Sequence, residues 1–315
     1  MRLHLFAAAA LAASLAAFAP ATAPASGPSS GAAAPDPFQW LEQINSPRAL
    51  AWVARQNAIT RKVLEGDPRY EVFRKEALAI FTAEDRIPTP RLRAGEVDNL
   101  WQDKTHHHGV WRRTSLQSFA SARPDWETVL DLDALSKAEG ADWYSKGERC
   151  LQPQERLCLV RLSNGGKDAV SIREFDADQR AFVPGGFSLP EGKQNVDWLD
   201  KDTLIVARDW GPGTTTRSGY PFIVKILKRG QPLDQAREIF HGSPSDVQVG
   251  ASVLRDPDGK VRAVLIDEGV GFFQRKVFLL EHDKPVELPM APKAELRAFV
   301  EGQLVFRLAQ DWNAF

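Results

Sequence analysis

From Val97 to Phe315 the chain repeats one pattern: about four short alternating apolar–polar runs, a turn-rich break, then another such group. The first group is "VDNLWQDK" and "GVWRRTSLQSF" on either side of a polar "THHH", followed by "TVLDLDAL". "LCLVRLS", "AVSIREFD" and "AFVPGGFSL" make the second, and "VDWLD", "TLIVARDW", "YPFIVKIL" and "REIFHG" the third. "VQVGASVLRD", "AVLIDEG", "KVFLLEHD" and "PVELPM" form a fourth; "LRAFVEG" and "QLVFRLAQDW" begin a fifth. Alternation at every second residue marks strands that bury one face. Asn164-Gly165-Gly166, Asp256-Pro257-Asp258-Gly259 and Glu301-Gly302 supply the turn chemistry between them. Groups of four strands every 40–50 residues or so are the period of propeller blades. The expected fold is mainly β: an incomplete β-propeller over residues 91–315 with about four and a half blades. An immunoglobulin-like sandwich is the competing all-β arrangement, and so many four-strand groups exceed what one sandwich holds.

Residues 36–90 read differently, as an N-terminal helical segment. Ser46 before Pro47 is a capping hydroxyl followed by proline at the first helical position. Ala49, Trp52, Val53, Ile59 and Val63 then recur at helical spacing, interrupted by Gln56. Gly66-Asp67-Pro68 ends this helix, with Asp67 as the expected cap of a second whose apolar face is Phe73, Ala77, Ile80 and Phe81. Ile87-Pro88-Thr89-Pro90 closes the region.

Residues 1–25 have the form of a signal peptide. Arg2 and His4 precede an apolar run too short to span a bilayer, and Ala19-Pro20-Ala21 and Ala23-Pro24-Ala25 offer small-residue cleavage sites. The Ala/Pro/Ser/Gly stretch 26–35 is a flexible leader. The expectation is therefore an exported protein, periplasmic or secreted, with no membrane attachment after cleavage. A net charge of −1 with scattered basic residues argues against a nucleic-acid partner. In an oxidising compartment Cys150 and Cys158 either close a small loop as a disulfide or remain separate thiols. Their context, "GERCLQPQERLCLVRL", suggests a loop leading into a strand.

Here the residues carry a resemblance. "DPFQWLE" followed by "PRALAWVARQNAITRKVL" is similar to the opening signature of the prolyl oligopeptidase family, and the strand segments up to Phe315 resemble the propeller of its bacterial members. The resemblance implies a serine peptidase of two domains. A seven-bladed propeller would admit short peptides and exclude folded proteins, and the N-terminal helices would pack on an α/β-hydrolase domain. On that basis the stripe of Trp52, Val53, Ile59 and Val63 is shaped to cover a hydrolase domain outside this chain.

The chemistry of such a hydrolase needs a serine in G-x-S-x-G at a strand-to-helix elbow, with an acid and a histidine. Ser163, Ser218 and Ser252 each lack the flanking glycines and read as turn or strand serines. No catalytic, cofactor-binding or metal-binding residue is assigned, and no cofactor is implied. His106-His107-His108 reads as a solvated hairpin turn, its neighbouring side chains diverging. Gly211-Pro212-Gly213 lacks the lysine of a phosphate loop. Asp256–Gly259 begins like a calcium loop, but Val261 stands where its glycine belongs, which leaves a type I turn. Asp176 and Asp178 read as hairpin caps, and Trp101, Trp111, Trp126, Trp198, Trp210 and Trp312 as packing between blades.

The expected function is the N-terminal and propeller portion of an exported prolyl-oligopeptidase-like serine peptidase, inactive by itself and, with an unclosed ring, poorly soluble. The alternatives are a stand-alone propeller that binds peptide or glycan, and an unrelated β-rich hydrolase with its own carboxylate site.

Overall fold

The computed structural model describes residues 36–312 other than Pro292; the expected signal peptide and leader, 1–25 and 26–35, lie outside the described residues. The chain divides into two compact units between Val72 and Phe73.

In the first unit a 3-10 turn, Gln39–Glu42, leads to helix α1, Pro47–Leu64. The Ser46 hydroxyl accepts the Ala49 N–H at 3.2 Å, satisfying a donor that the helix itself leaves free. Arg61 and Lys62 sit in the last turn, against the negative end of the helix. Trp52 meets the ring of Trp40 edge-on at 6.5 Å, and the Arg48 guanidinium covers Trp40 at 4.1 Å. Beyond Trp52 the stripe is bare: Val53, Ile59 and Val63 are 43%, 59% and 68% exposed. Helix α2 spans Tyr70–Phe81, beginning in the first unit and continuing into the second. Asp67 does not cap it directly, since its carboxylate accepts the N–H of Arg69 at 2.9 Å in the turn before α2.

The second unit is a series of antiparallel sheets. β1 Arg91–Arg93, β2 Glu96–Trp101, β3 Val110–Ser115 and β4 Glu127–Asp131 form the first, in that order. β5 Trp143–Cys150, β6 Leu157–Asn164 and β7 Val170–Asp176 form the second, with β8 Ala181–Phe182 and β9 Ser188–Gly192 both paired to β7. The third is β10 Gln194–Asp200, β11 Thr203–Arg208, β12 Ile223–Lys228 and β13 Arg237–His241. The fourth is β14 Gln248–Arg255, β15 Val261–Gly271, β16 Gln274–Glu281 and β17 Lys284–Glu287. β18 Glu295–Val300 and β19 Gln303–Arg307 pair as a fifth. These are the five groups expected from the sequence: the first, third and fourth are four-strand meanders, β9 of the second returns to β7, and the fifth is a hairpin.

Several segments differ from expectation, and "AFVPGGFSL" is not one strand but two, β8 and β9, both paired to β7. "LQSF" is not strand but helix α3, Leu116–Phe119, because the Ser115 hydroxyl caps it by accepting the Ser118 N–H at 3.1 Å. "LDAL" opens helix α4, Leu132–Glu139, capped by Asp131 and ended by Gly140 at φ 64°. "GERC", expected as loop, is the end of β5. Only residues 151–156 connect it to β6, and Cys150 and Cys158 face each other across the two strands, joined as a disulfide.

The core lies between sheets rather than within them. Trp111, Val129 and Leu132 of the first sheet region pack with Val160, Leu162 and Phe175 of the second. Leu159, Ile172 and Leu189 of the second pack with Trp198, Leu204 and Val206 of the third. Ile205, Val224 and Phe240 of the third pack with Val249, Val253 and Ile266 of the fourth. Face-to-face stacking of successive four-strand sheets is propeller packing. Gly259 shows how closely the turns approach: a Cβ there, at φ +80°, would lie 2.3 Å from Pro153.

Candidate functional site

Each sheet begins with an edge strand, and an edge strand leaves a row of backbone groups without partners. Side chains of the preceding sheet fill that gap here. Asn195 and Asp197 project to the same side of β10 because they are two residues apart. Asn195 Oδ1 accepts the Ala251 N–H at 2.8 Å, and Asp197 Oδ2 accepts the Val253 N–H at 2.9 Å, both on β14. Asp197 Oδ1 also accepts Arg149 Nε at 2.9 Å from β5, while the Trp198 indole N–H returns to the Arg149 carbonyl at 2.8 Å. Arg255 at the end of β14 donates to the carbonyls of Trp198 and Leu199 at 2.9 and 3.0 Å. On β1, Arg93 pairs with Glu148 of β5 at 2.6 Å, and Arg91 pairs with the same carboxylate.

The result is a charged wall. Arg91 and Arg93 of β1, Glu148 of β5, Asp197 of β10, Arg255 of β14 and Phe299 of β18 border one cavity of about 480 Å³. The first strand of every sheet therefore faces a common space, as the inner strands of a propeller face its axis. The hydrogen bond to Asp197 holds the Arg149 guanidinium above its ordinary pKa against the opposing effect of burial. Arg255 is pulled down by burial. At the other ends of β10 and β14, Lys193, Gln194, Gln248 and Val249 border a second cavity of about 360 Å³.

The serines weighed from sequence are placed as structural groups. Ser163 is fully buried on β6 and donates to the Lys167 carbonyl at 2.7 Å. Ser218 lies in the loop before β12 and Ser252 within β14. By letters alone, Gly27-Pro28-Ser29-Ser30-Gly31 fits the elbow pattern; it falls in an Ala/Pro/Ser-rich stretch and lies outside the described residues.

The histidine run corrects the expectation of a solvated turn. His107 is exposed, but His108 is held between two carboxylates: Nδ1 is 2.6 Å from Asp133 Oδ1 and Nε2 2.6 Å from Asp142 Oδ1. The bond to Asp133 and then that to Asp142 raise its pKa, against a smaller effect of burial. Asp133 opens α4 and Asp142 precedes β5, so the imidazole ties the first sheet to the second. His106 turns to Asp103 of its own loop, 3.0 Å away. Among the described residues no group of three His, Cys, Asp or Glu side chains is arranged to hold a metal ion.

Asp176 Oδ1 accepts the backbone N–H groups of Asp178 and Gln179 at 3.1 and 3.0 Å. Gly211–Gly213 is a loop tied by Thr214, whose hydroxyl donates to the Gly211 carbonyl at 2.6 Å. Asp256 closes its turn by accepting the Lys260 N–H at 2.9 Å. Trp111 and Trp198 are buried between sheets and Trp210 is half-buried against the third. Trp101 and Trp126 instead flank the Arg112 guanidinium at 4.2 and 4.3 Å. Trp312 is half-buried at the end of the described chain. The inner-strand polar network was missed from sequence. Its members lie 48 to 57 residues apart, and the one local signal was the polarity of strands such as "QNVDWLD".

Comparison with known proteins then places the fold. The family profile of the prolyl oligopeptidase N-terminal β-propeller domain matches residues 23–306. An uncharacterized peptidase of Sinorhizobium fredii is 46% identical over 286 residues, covering 89% of this chain and 39% of the relative. An uncharacterized peptidase of Rickettsia prowazekii is 30% identical over 292 residues, covering 89% and 40%. Among solved structures, a post-proline cleaving enzyme from Rickettsia typhi superposes with a TM-score of 0.78 at 28% identity, over 87% of this chain and 42% of that one. Oligopeptidase B from Leishmania major shares the fold at 12% identity, with a TM-score of 0.64 over 86% of this chain and 37% of that one. The chain thus spans about two-fifths of the length of the curated relatives it matches.

Proposed function

Because this chain belongs to the prolyl oligopeptidase family through its N-terminal β-propeller domain, we propose that it forms the propeller portion of an exported peptidase that cleaves short peptides. The reaction is acyl transfer through a serine acyl-enzyme, and its nucleophile, base and oxyanion donors belong to an α/β-hydrolase domain in the part of the relatives this chain does not cover. The chain itself contributes the lid and size filter. By itself it cleaves nothing.

One observation carries this reading: the first strands of all five sheets border a single charge-lined cavity of about 480 Å³. Guanidinium and carboxylate groups on its wall suit an extended peptide, whose backbone offers donors and acceptors all along its length. A folded protein presents few such free segments, so a narrow axial passage selects chains that are short and unfolded. The bare α1 stripe of Val53, Ile59 and Val63 supports the companion role of the helices as a surface for the hydrolase domain. Export rests on the form of residues 1–25 and accords with the Cys150–Cys158 disulfide.

The test is a chimaera. Joined to the portion of the Sinorhizobium relative that it does not cover, the chain is expected to release chromophore from short proline-containing peptides and to leave a folded protein intact. The same chain alone should release none. Cleavage of folded protein by the chimaera would remove the filter role, and turnover by the chain alone would remove the division of labour.

A further inference from the structure

The second cavity, at the starts of β10 and β14, has no role in the reading above, and its chemistry is asymmetric. Lys146 of β5, Arg161 of β6 and Lys193 border it, against one carboxylate, Asp168. That carboxylate is engaged, accepting the Tyr220 hydroxyl at 3.0 Å. The two lysines have weak local partners: Lys146 Nζ donates to the Gly166 carbonyl at 2.9 Å, and Lys193 Nζ to that of Ser218 at 3.2 Å while lying 3.8 Å from the Tyr220 ring. Arg161 is half-buried, and its guanidinium makes no hydrogen bond or ion pair with any described residue. A desolvated guanidinium without a partner is costly, and burial draws it down from its ordinary pKa with no neighbouring carboxylate to oppose it.

Gln194 adds the second, independent sign. It is 7% exposed and borders the same cavity. Its Nε2 donates to the carbonyls of Val170 and Pro190 at 2.6 and 3.0 Å, which fixes the amide orientation, and its Oε1 is left buried without a donor. The cavity therefore offers unspent positive charge beside an unspent acceptor. A carboxylate alone answers the first; an N–H close to a carboxylate answers both. The last residue of a peptide carries that pair, an amide nitrogen two bonds from the carbon of its α-carboxylate.

We infer that this cavity is a subsite for the C-terminal residue of a peptide, with Arg161 and Lys193 holding the α-carboxylate and Gln194 Oε1 accepting the terminal amide N–H. The assignment rests on the peptide reading above and goes beyond it by naming which end of the peptide is recognised and where. The volume of about 360 Å³ suits one or two residues, not a folded surface.

Calorimetric titration of this chain with a tetrapeptide free acid, its C-terminal amide, and an amide whose last side chain is glutamate tests it. The free acid is expected to bind at least about tenfold more tightly than either amide, the scale of a charge-assisted contact. That advantage should shrink at high salt and vanish in Arg161→Met, which keeps the apolar stem. Lys193→Gln, at a half-exposed position, should reduce it too, and a thermal melt of each variant identifies any that fails to fold. Equal binding of free acid and simple amide would overturn the subsite while leaving the peptide reading intact. Equal binding of the free acid and the glutamate amide would overturn recognition of the terminus in particular. Absence of binding by all three would overturn the subsite and count against the peptide reading as well.

Discussion

Asp197 on β10 accepts the backbone N–H of Val253 on β14 at 2.9 Å, so one buried carboxylate closes the open edge of the next sheet. The same carboxylate grips Arg149 of the preceding sheet. Three sheets are joined at one side chain. Asp197→Ala is expected to lower unfolding free energy by about 3 kcal/mol, since it strands a buried N–H and a guanidinium together. Asp197→Asn, which keeps the acceptor but not the charge, should cost less. Chemical denaturation of both variants checks the order; a loss under about 0.5 kcal/mol for the alanine would show that water replaces the carboxylate freely.

Trp198 follows it in sequence and is 1% exposed, packed edge-on to Phe187 at 5.8 Å in the core between the second and third sheets. Its indole N–H also holds the Arg149 carbonyl. Trp198→Ala should cost about 3–5 kcal/mol. Trp198→Phe should cost less, the hydrogen bond and part of the volume being lost. Comparable losses for the two variants would place the stabilisation in the hydrogen bond rather than in the packing.

His108 makes the joint between the first and second sheets depend on pH. Asp133 first, then Asp142, raises its folded pKa above the unfolded value of about 6.5. A raised folded pKa means the folded state binds the proton more tightly. Its contribution is full below the unfolded value and is lost as pH rises through the folded one. The difference in melting temperature between the native chain and His108→Gln should be largest near pH 5.5 and should fade toward alkaline pH. A difference that does not change with pH would show that the imidazole acts only as a neutral hydrogen-bonding group.

Glu268 shows the same direction of pH dependence as His108, from a different cause. Burial first, then the charge of Asp246, pushes its carboxyl above the usual range. The folded state again holds the proton more tightly, so the group becomes a liability as pH rises through its folded value. Glu268→Gln keeps a donor for Asp246 without the second charge and is expected to raise the melting temperature at pH 7 by roughly 2–4 °C, the equivalent of about 1 kcal/mol. No gain, or a loss, would mean that the two carboxylates are better accommodated than their burial suggests.

The sheets were legible in the sequence because middle strands such as "TLIVAR" and "IVKILK" bury most of their residues between neighbours. β5 was not, for a physical reason. Its side chains meet the axial space and the neighbouring sheet, and Gly147, at φ +91°, lies within a register irregularity between Ser145 and Glu148, so apolar alternation is lost. Helix α4 could have been found, since Asp131 and Gly140 are a start and stop signal nine residues apart. The partners of His108 stand 25 and 34 residues away, and those of Asp197 48 and 56. No local pattern encodes such pairs. Gln194 and Arg161 likewise come to one cavity only in the fold.

Incubation of the 315-residue chain with a serine-directed fluorophosphonate, read by intact mass, tests the central claim that this chain supplies the propeller and the rest of the enzyme supplies the nucleophile. The account predicts an unchanged mass under conditions that fully label the chimaera. A stoichiometric adduct on a serine of this chain would contradict it.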